Sequence, residues 1–224
     1  MFDSASIIIA GSTGLIGHHL LNFSLKNESV NRVYSLSRRS LDETSSKLVQ
    51  MVSDDLSIDK NQLEEQTPDI GFITLGTTIK KAGSKAALKA IDTDLVVSVA
   101  QSMREVGVRH IYVVSCIGAS SSAFSHYLKC KGEMEDSIAL LGFSSTTFMQ
   151  PGPLSGDRSE TRKDEVLLQG VMSIINPLMK GCLLNYKPIE GDVVAECMLD
   201  LALQNDNAVG VHRYRSKAMF EMKS

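Results

Sequence analysis

The chain has 224 residues, enough for one large domain or for one domain with a small appendage. Apolar residues make up 43% and charged residues 22%, the balance of a globular protein with a sizeable core. A net charge of −3, with only the scattered basic doublets Arg38-Arg39 and Lys80-Lys81, excludes the basic field that a nucleic-acid partner requires.

The first apolar run, Ser6–Ala10, predicts a buried strand. It leads directly into Gly11-Ser12-Thr13-Gly14-Leu15-Ile16-Gly17 and then a helix-like segment, Leu15–Leu25. A strand, a glycine turn and a helix N-terminus in that order present bare backbone N–H groups to a pyrophosphate. In this reading Gly11 makes the tight turn, Gly14 admits the phosphates, and Gly17 lets the helix approach the strand. The spacing is G-x-x-G-x-x-G, and an ordinary strand-to-helix turn is the plainer alternative.

The second strand, Arg32–Leu36, is followed by Arg38 and Arg39. In dinucleotide-binding folds this strand end meets the adenosine ribose, where a carboxylate selects the unphosphorylated cofactor. Here no Asp or Glu appears before Asp42, and two guanidiniums suit a 2′-phosphate. NADP(H) is therefore favoured over NAD(H), with a solvated basic loop as the alternative. After the third strand, Leu48–Val52, Asp54 and Asp55 could accept from an adenine amino group or form a turn. The fourth strand, Gly71–Leu75, places Leu75, Gly76, Thr77 and Thr78 where small residues allow backbone approach to a cofactor.

Predicted helices follow at Lys60–Gln66 and Lys85–Val106, then a strand at His110–Ser115 and a helix at Phe124–Leu141. On that last helix Tyr127 and Lys131 are four residues apart and share a face. A phenol titrates near ~10 and is a poor acid-base group until a nearby ammonium favours its ionised form. Tyr127 could then exchange a proton with a carbonyl oxygen during hydride transfer, and Lys131 could also bond a nicotinamide ribose. Ser115, at the strand end, could orient the substrate oxygen; Ser120, Ser121 and Ser122 are nearby alternatives. Glu133 and Glu135 read as a solvated helix face.

A last strand at Ser145–Met149 is followed by a change of composition after Gln150, with Pro151 opening a Pro- and Gly-rich turn. Residues 151–185 read as a substrate lid, or as a packed terminal helix (Val166–Met179) under a long loop. Pro188–Asp192 reads as a turn and cap before a helix at Asp192–Leu203. Strands alternating with helices imply a doubly wound α/β fold with a parallel sheet, residues 1–224 forming one domain. Its ligand crevice lies beyond the carboxyl ends of the strands.

The four cysteines lack metal-ligand spacing, so no metal site is expected, and reduced thiols in the cytoplasm are the simplest reading. The N-terminus has no basic segment before its short apolar run, which argues against a signal peptide. No stretch approaches the ~20 apolar residues of a membrane span.

Together, Ala10–Gly17, Leu36-Ser37-Arg38-Arg39, Val113–Ala119, Tyr127 through Glu133, and Gln150–Arg158 resemble the short-chain dehydrogenase/reductases. The likeness is to the small atypical branch that includes the Tat-interacting oxidoreductase-like and NmrA-like proteins. It covers most of the chain, loosely after Asp157. The resemblance implies a Rossmann-type fold, NADP binding, and a catalytic group of Ser115, Tyr127 and Lys131. It leaves a monomer and a homodimer both open. One departure stands out: many members add an asparagine from the helix after the fourth strand, whereas Lys85–Val106 has none and carries Asp92 and Asp94.

Three functions fit these residues. The first is an NADPH-dependent reductase of a small carbonyl compound. The second is a regulatory module that senses NADP(H) without turnover, as some relatives do. The third is a sugar-nucleotide epimerase on the same scaffold.

Overall fold

A computed structural model describes residues 4–63, 67–155, 181–204 and 209–223. Seven strands form one parallel sheet: β1 (Ala5–Ala10), β2 (Val30–Ser37), β3 (Leu48–Val52), β4 (Ile70–Ile73), β5 (His110–Val114), β6 (Ser145–Gln150) and β9 (Gly210–Arg215). Their order is β3-β2-β1-β4-β5-β6-β9. The order reverses between β1 and β4, the switch point at which doubly wound folds hold ligands. Two short strands, β7 (Leu154–Ser155) and β8 (Ile189–Glu190), pair separately.

Strand residues alternate between two cores because successive side chains point to opposite faces. Ile7, Ile9, Phe72, Tyr112 and Met149 face one side. There they meet α1 (Leu15–Lys26) and α6 (Gly191–Leu203), with Met219 of α7 (Ser216–Met222). Ile8, Ala10, Tyr34, Ile73, Val113 and Phe148 face the other side. They pack on α4 (Val96–Glu105) and α5 (His126–Ala139). Both faces are covered, so β1 has no exposed position and reads as a continuous apolar run.

The predicted elements hold with four corrections. Lys60–Gln66 is not a helix: one 3-10 turn, Lys60–Gln62, is capped by Asp59, and residues 64–66 lie outside the described set. Lys85–Val106 is not one regular helix. After α2 (Ile79–Ala82), α3 (Lys85–Lys89) passes into a π-helical turn, Ala90–Leu95, before α4 begins. Pro188–Asp192 contains strand β8 where a turn was expected. Finally, β9 and α7 had no sequence prediction; β9 is an edge strand of alternating exposure, with His212, Arg213 and Arg215 diluting its apolar pattern. The expected helix Val166–Met179 lies outside the described residues, as does most of the 151–185 lid.

Candidate nucleotide and carbonyl site

Gly11 leaves β1 at φ +99°, where a side chain is strained. A Cβ there would also lie 2.7 Å from Thr74 Oγ1. The Thr74 hydroxyl donates to the Ala10 and Gly11 carbonyls, each at 3.1 Å, tying β4 to the turn. Gly17 sits on the same turn, since a Cβ would meet the Gly11 carbonyl oxygen at 2.1 Å. Glycine here is a packing requirement of α1. Gly14 is the N-cap of α1, exposed and with no side-chain cap, and no acidic residue stands in the first turn. The leading N–H groups of this helix are thus aimed at the crevice with a favourable dipole for an anion. Thr13 is exposed beside Gly14. The Ser12 hydroxyl is buried against that of Ser35 at 2.7 Å, Ile16 belongs to the core, and Leu15 packs over Gly191. Within this segment Thr13 and Gly14 are the exposed residues.

Beyond β2, Arg38 and Arg39 are both exposed, and among the described residues neither makes an ion pair. Ser37 shapes their loop by donating to the Arg39 carbonyl at 2.7 Å. Asp54 is exposed. Asp55 is committed to its own turn: it accepts from the Ser53 hydroxyl at 2.5 Å and the Ser57 N–H at 3.0 Å. The Ser53 hydrogen bond, followed by those of Ser57, holds its carboxyl down to about 2. Of the two adenine-side candidates, Asp54 is the one with a side chain to offer.

The turn after β4 approaches α5. Leu75 packs into the core, and Thr78 caps α2 by accepting from the Lys81 N–H at 3.3 Å. Gly76 is exposed, and a Cβ on it would lie 3.3 Å from Asp92 Oδ1 and 3.6 Å from Lys131 Nζ. Lys131 is 3% exposed and pairs with Asp92 Oδ1 at 2.9 Å; the other oxygen of Asp92 accepts from the Thr77 N–H at 2.9 Å. Asp94, the other carboxylate of this region, points outward to Lys89 at 2.6 Å.

Tyr127 lies one turn before Lys131 and is 37% exposed. Its side chain hydrogen-bonds the Cys116 sulfur. Burial pushes the Cys116 thiol up from its ordinary value. Ser115 stands elsewhere than expected. It is buried, and its hydroxyl donates to Glu135 Oε1 at 2.5 Å, so it turns into the fold while Cys116 meets Tyr127. Glu135 is a correction as well, because it is 3% exposed and no part of a solvated face. It also accepts from Gln150 Nε2 at 2.9 Å and Arg213 Nε at 2.8 Å. One signal existed in the sequence: Glu135 follows Lys131 by four residues, on the face that begins with Tyr127. Ser120 and Ser122 bond each other in the loop above α5, and Gly132 lets that loop settle on the helix. Pro151 is buried, its carbonyl accepting from the Ile117 N–H at 2.9 Å, which locks the β5 and β6 exits together.

These residues fit a nicotinamide dinucleotide. The uncapped N-terminus of α1 suits its pyrophosphate, and the bare surface of Gly76 leaves room above the Lys131 ammonium. Among the described residues, no group of three or more His, Cys, Asp or Glu side chains could hold a metal ion. No helix there is long and apolar enough to cross a membrane.

The chain is 31% identical over 206 residues to protein fmp52, mitochondrial, of Aspergillus niger, covering 89% of this chain and 88% of the relative. It is 33% identical over 208 residues to protein FMP52, mitochondrial, of Candida albicans, covering 90% of each. These names overturn the cytoplasmic expectation. Cysteine spacing alone does not separate one reducing compartment from another. Among solved structures, MoeE5 in complex with UDP-glucose and NAD superposes with a TM-score of 0.65 at 14% identity, covering 97% of this chain and 80% of that one. A UDP-glucuronic acid 4-epimerase from Bacillus cereus in complex with NAD gives 0.65 at 13%, covering 94% and 78%. The PhqB reductase domain from Penicillium fellutanum gives 0.65 at 16%, covering 95% and 66%. At these identities the likeness is one of fold. Residues 7–129 match the NAD dependent epimerase/dehydratase family, and with the Rossmann-type sheet and glycine turn in place the chain belongs to that family, an atypical branch of the short-chain dehydrogenase/reductases.

Proposed function

We propose that this protein is an NADP(H)-dependent reductase of a carbonyl compound and that it works in mitochondria. The observation that carries the reading is the buried Lys131 ammonium beside the turn after β4, one helical turn along α5 from the partly exposed Tyr127. Bound nicotinamide cofactor supplies the hydride. Tyr127, partly open to solvent, holds a proton at its phenol oxygen and gives it to the substrate oxygen as charge develops there. Lys131 supplies a fixed positive charge that favours the phenolate left behind. Lys131 pairs with Asp92 by charge at 2.9 Å, and the three donors of an ammonium suit a ribose hydroxyl. Ser115, held by Glu135, fixes the exit of β5 from within. Arg38 and Arg39, exposed beyond β2, support the choice of NADP(H), since two guanidiniums can grip a 2′-phosphate. The mitochondrial reading is supported by the names of the relatives.

One observation favours a second reading, binding without turnover: the Ser115 hydroxyl is buried and donates to Glu135. Calorimetric titration with NADPH and NADH, followed by a carbonyl-substrate screen, decides between them. The reductase reading expects tighter NADPH binding, loss of that preference in Arg38→Ala/Arg39→Ala, and turnover abolished in Tyr127→Phe. Turnover unchanged in Tyr127→Phe removes the mechanism. Binding with no turnover on any carbonyl leaves the sensing role.

A further inference from the structure

We propose that Asp92 is the positioning residue of this site, holding Lys131 and the turn after β4 in one arrangement for the nicotinamide half of the cofactor. The inference rests on the nucleotide-binding reading above. Asp92 is fully buried, and both its oxygens are used across element boundaries. One meets Lys131 Nζ on α5 at 2.9 Å; the other accepts from the Thr77 backbone N–H at 2.9 Å. A single carboxylate thus fixes the distance between a side chain and a loop that both face the crevice.

The local backbone is built for this. Ala90–Leu95 is a π-helical turn set between α3 and α4. Such a turn carries one more residue than an α-helical turn and rotates the side chains on it, and it is frequent at functional sites. Asp92 lies inside the turn, and its neighbour Thr93 donates to the Cys130 carbonyl at 3.0 Å, which clamps the turn onto α5 one residue before Lys131. Gly76 completes the arrangement. Its missing side chain leaves open the space 3.3 Å from Asp92 Oδ1 and 3.6 Å from Lys131 Nζ. A charged pair sealed from water is costly to bury and is poor evidence of a role in stability alone. A neutral asparagine would turn its NH2 donor toward either the ammonium or the Thr77 N–H, so it could not serve both as a carboxylate does.

The arrangement divides the cofactor site in two. The glycine turn and the loop after β2 belong to the adenosine side, and Asp92 touches neither. Loss of Asp92 should therefore weaken the dinucleotide and spare its adenosine half. The test is titration of wild type and Asp92→Asn with NADP⁺ and with adenosine 2′,5′-bisphosphate. The expected result is about tenfold weaker NADP⁺ binding in Asp92→Asn with unchanged bisphosphate binding. Equal weakening of both ligands would mean a merely structural role and overturns the proposal, as does no change in either. If Asp92→Asn does not fold, Asp92→Leu/Lys131→Met replaces the pair with apolar groups of similar size. The same selective loss is expected there, and wild-type NADP⁺ affinity in that variant overturns the proposal. Wild type that binds neither ligand brings down the nucleotide-binding reading itself, an outcome separate from any effect of Asp92.

Discussion

Glu135→Ala tests whether the buried network behind the site carries the weight that its geometry implies. Glu135 accepts three hydrogen bonds, from Ser115, Gln150 and Arg213. Ser115 and Gln150 are each 4% exposed, so neither can turn to water when the carboxylate is removed. An orphaned buried polar group costs ~1–3 kcal/mol, which puts the pair at ~2–6 kcal/mol. The Arg213 side chain is 43% exposed and can be resolvated, so its bridge adds at most ~1 kcal/mol. A central value of ~4 kcal/mol corresponds to a Tm about 8–16 °C lower for a domain of this size. Arg213→Lys keeps a cation beside the buried Glu135 carboxylate and should lower Tm by no more than about 4 °C. Calorimetry or circular dichroism melting of the two variants beside wild type measures both. A Glu135→Ala Tm within about 2 °C of wild type refutes the reasoning. So does an Arg213→Lys loss as large as that of Glu135→Ala, because the exposed bridge would then be the dominant contact.

Gly17→Ala should be far more damaging than Gly14→Ala, because the new Cβ meets the Gly11 oxygen at 2.1 Å in the first case and at 3.3 Å in the second. Overpacking of the first kind costs ~3 kcal/mol, or about 6–12 °C in Tm, and equal melting of the two variants would sink the packing account of the glycine turn. His110 gives a pH signature. Burial, followed by the charge of Arg109, lowers its value from the ordinary 6.5. The unfolded chain therefore binds more protons between the lowered value and 6.5, so stability should fall as pH drops through 6.5 and level off below the folded value. His110→Gln should flatten that limb in a Tm-against-pH series, and an identical slope in the variant would assign the effect to other groups.

The sequence by itself determined the sheet and the nucleotide turn. Ile7, Ile8 and Ile9 are buried on both faces, which makes β1 a continuous apolar run, and Gly11 and Gly17 after it have no room for a side chain. Tyr127 and Lys131 were legible because helix geometry alone puts residues four apart on one face. What only the tertiary structure decided is where the polar groups between elements go. Ser115 donates to Glu135, and Asp92 rather than Asp94 reaches Lys131. Those outcomes depend on a π-helical turn that rotates Asp92 inward and on an edge strand that brings Arg213 to Glu135. Neither leaves a periodic signal, because each is fixed by contacts between residues far apart in the chain. The apolar pattern sets which face of an element is buried; the choice of partner for a buried charge is made only when the elements meet.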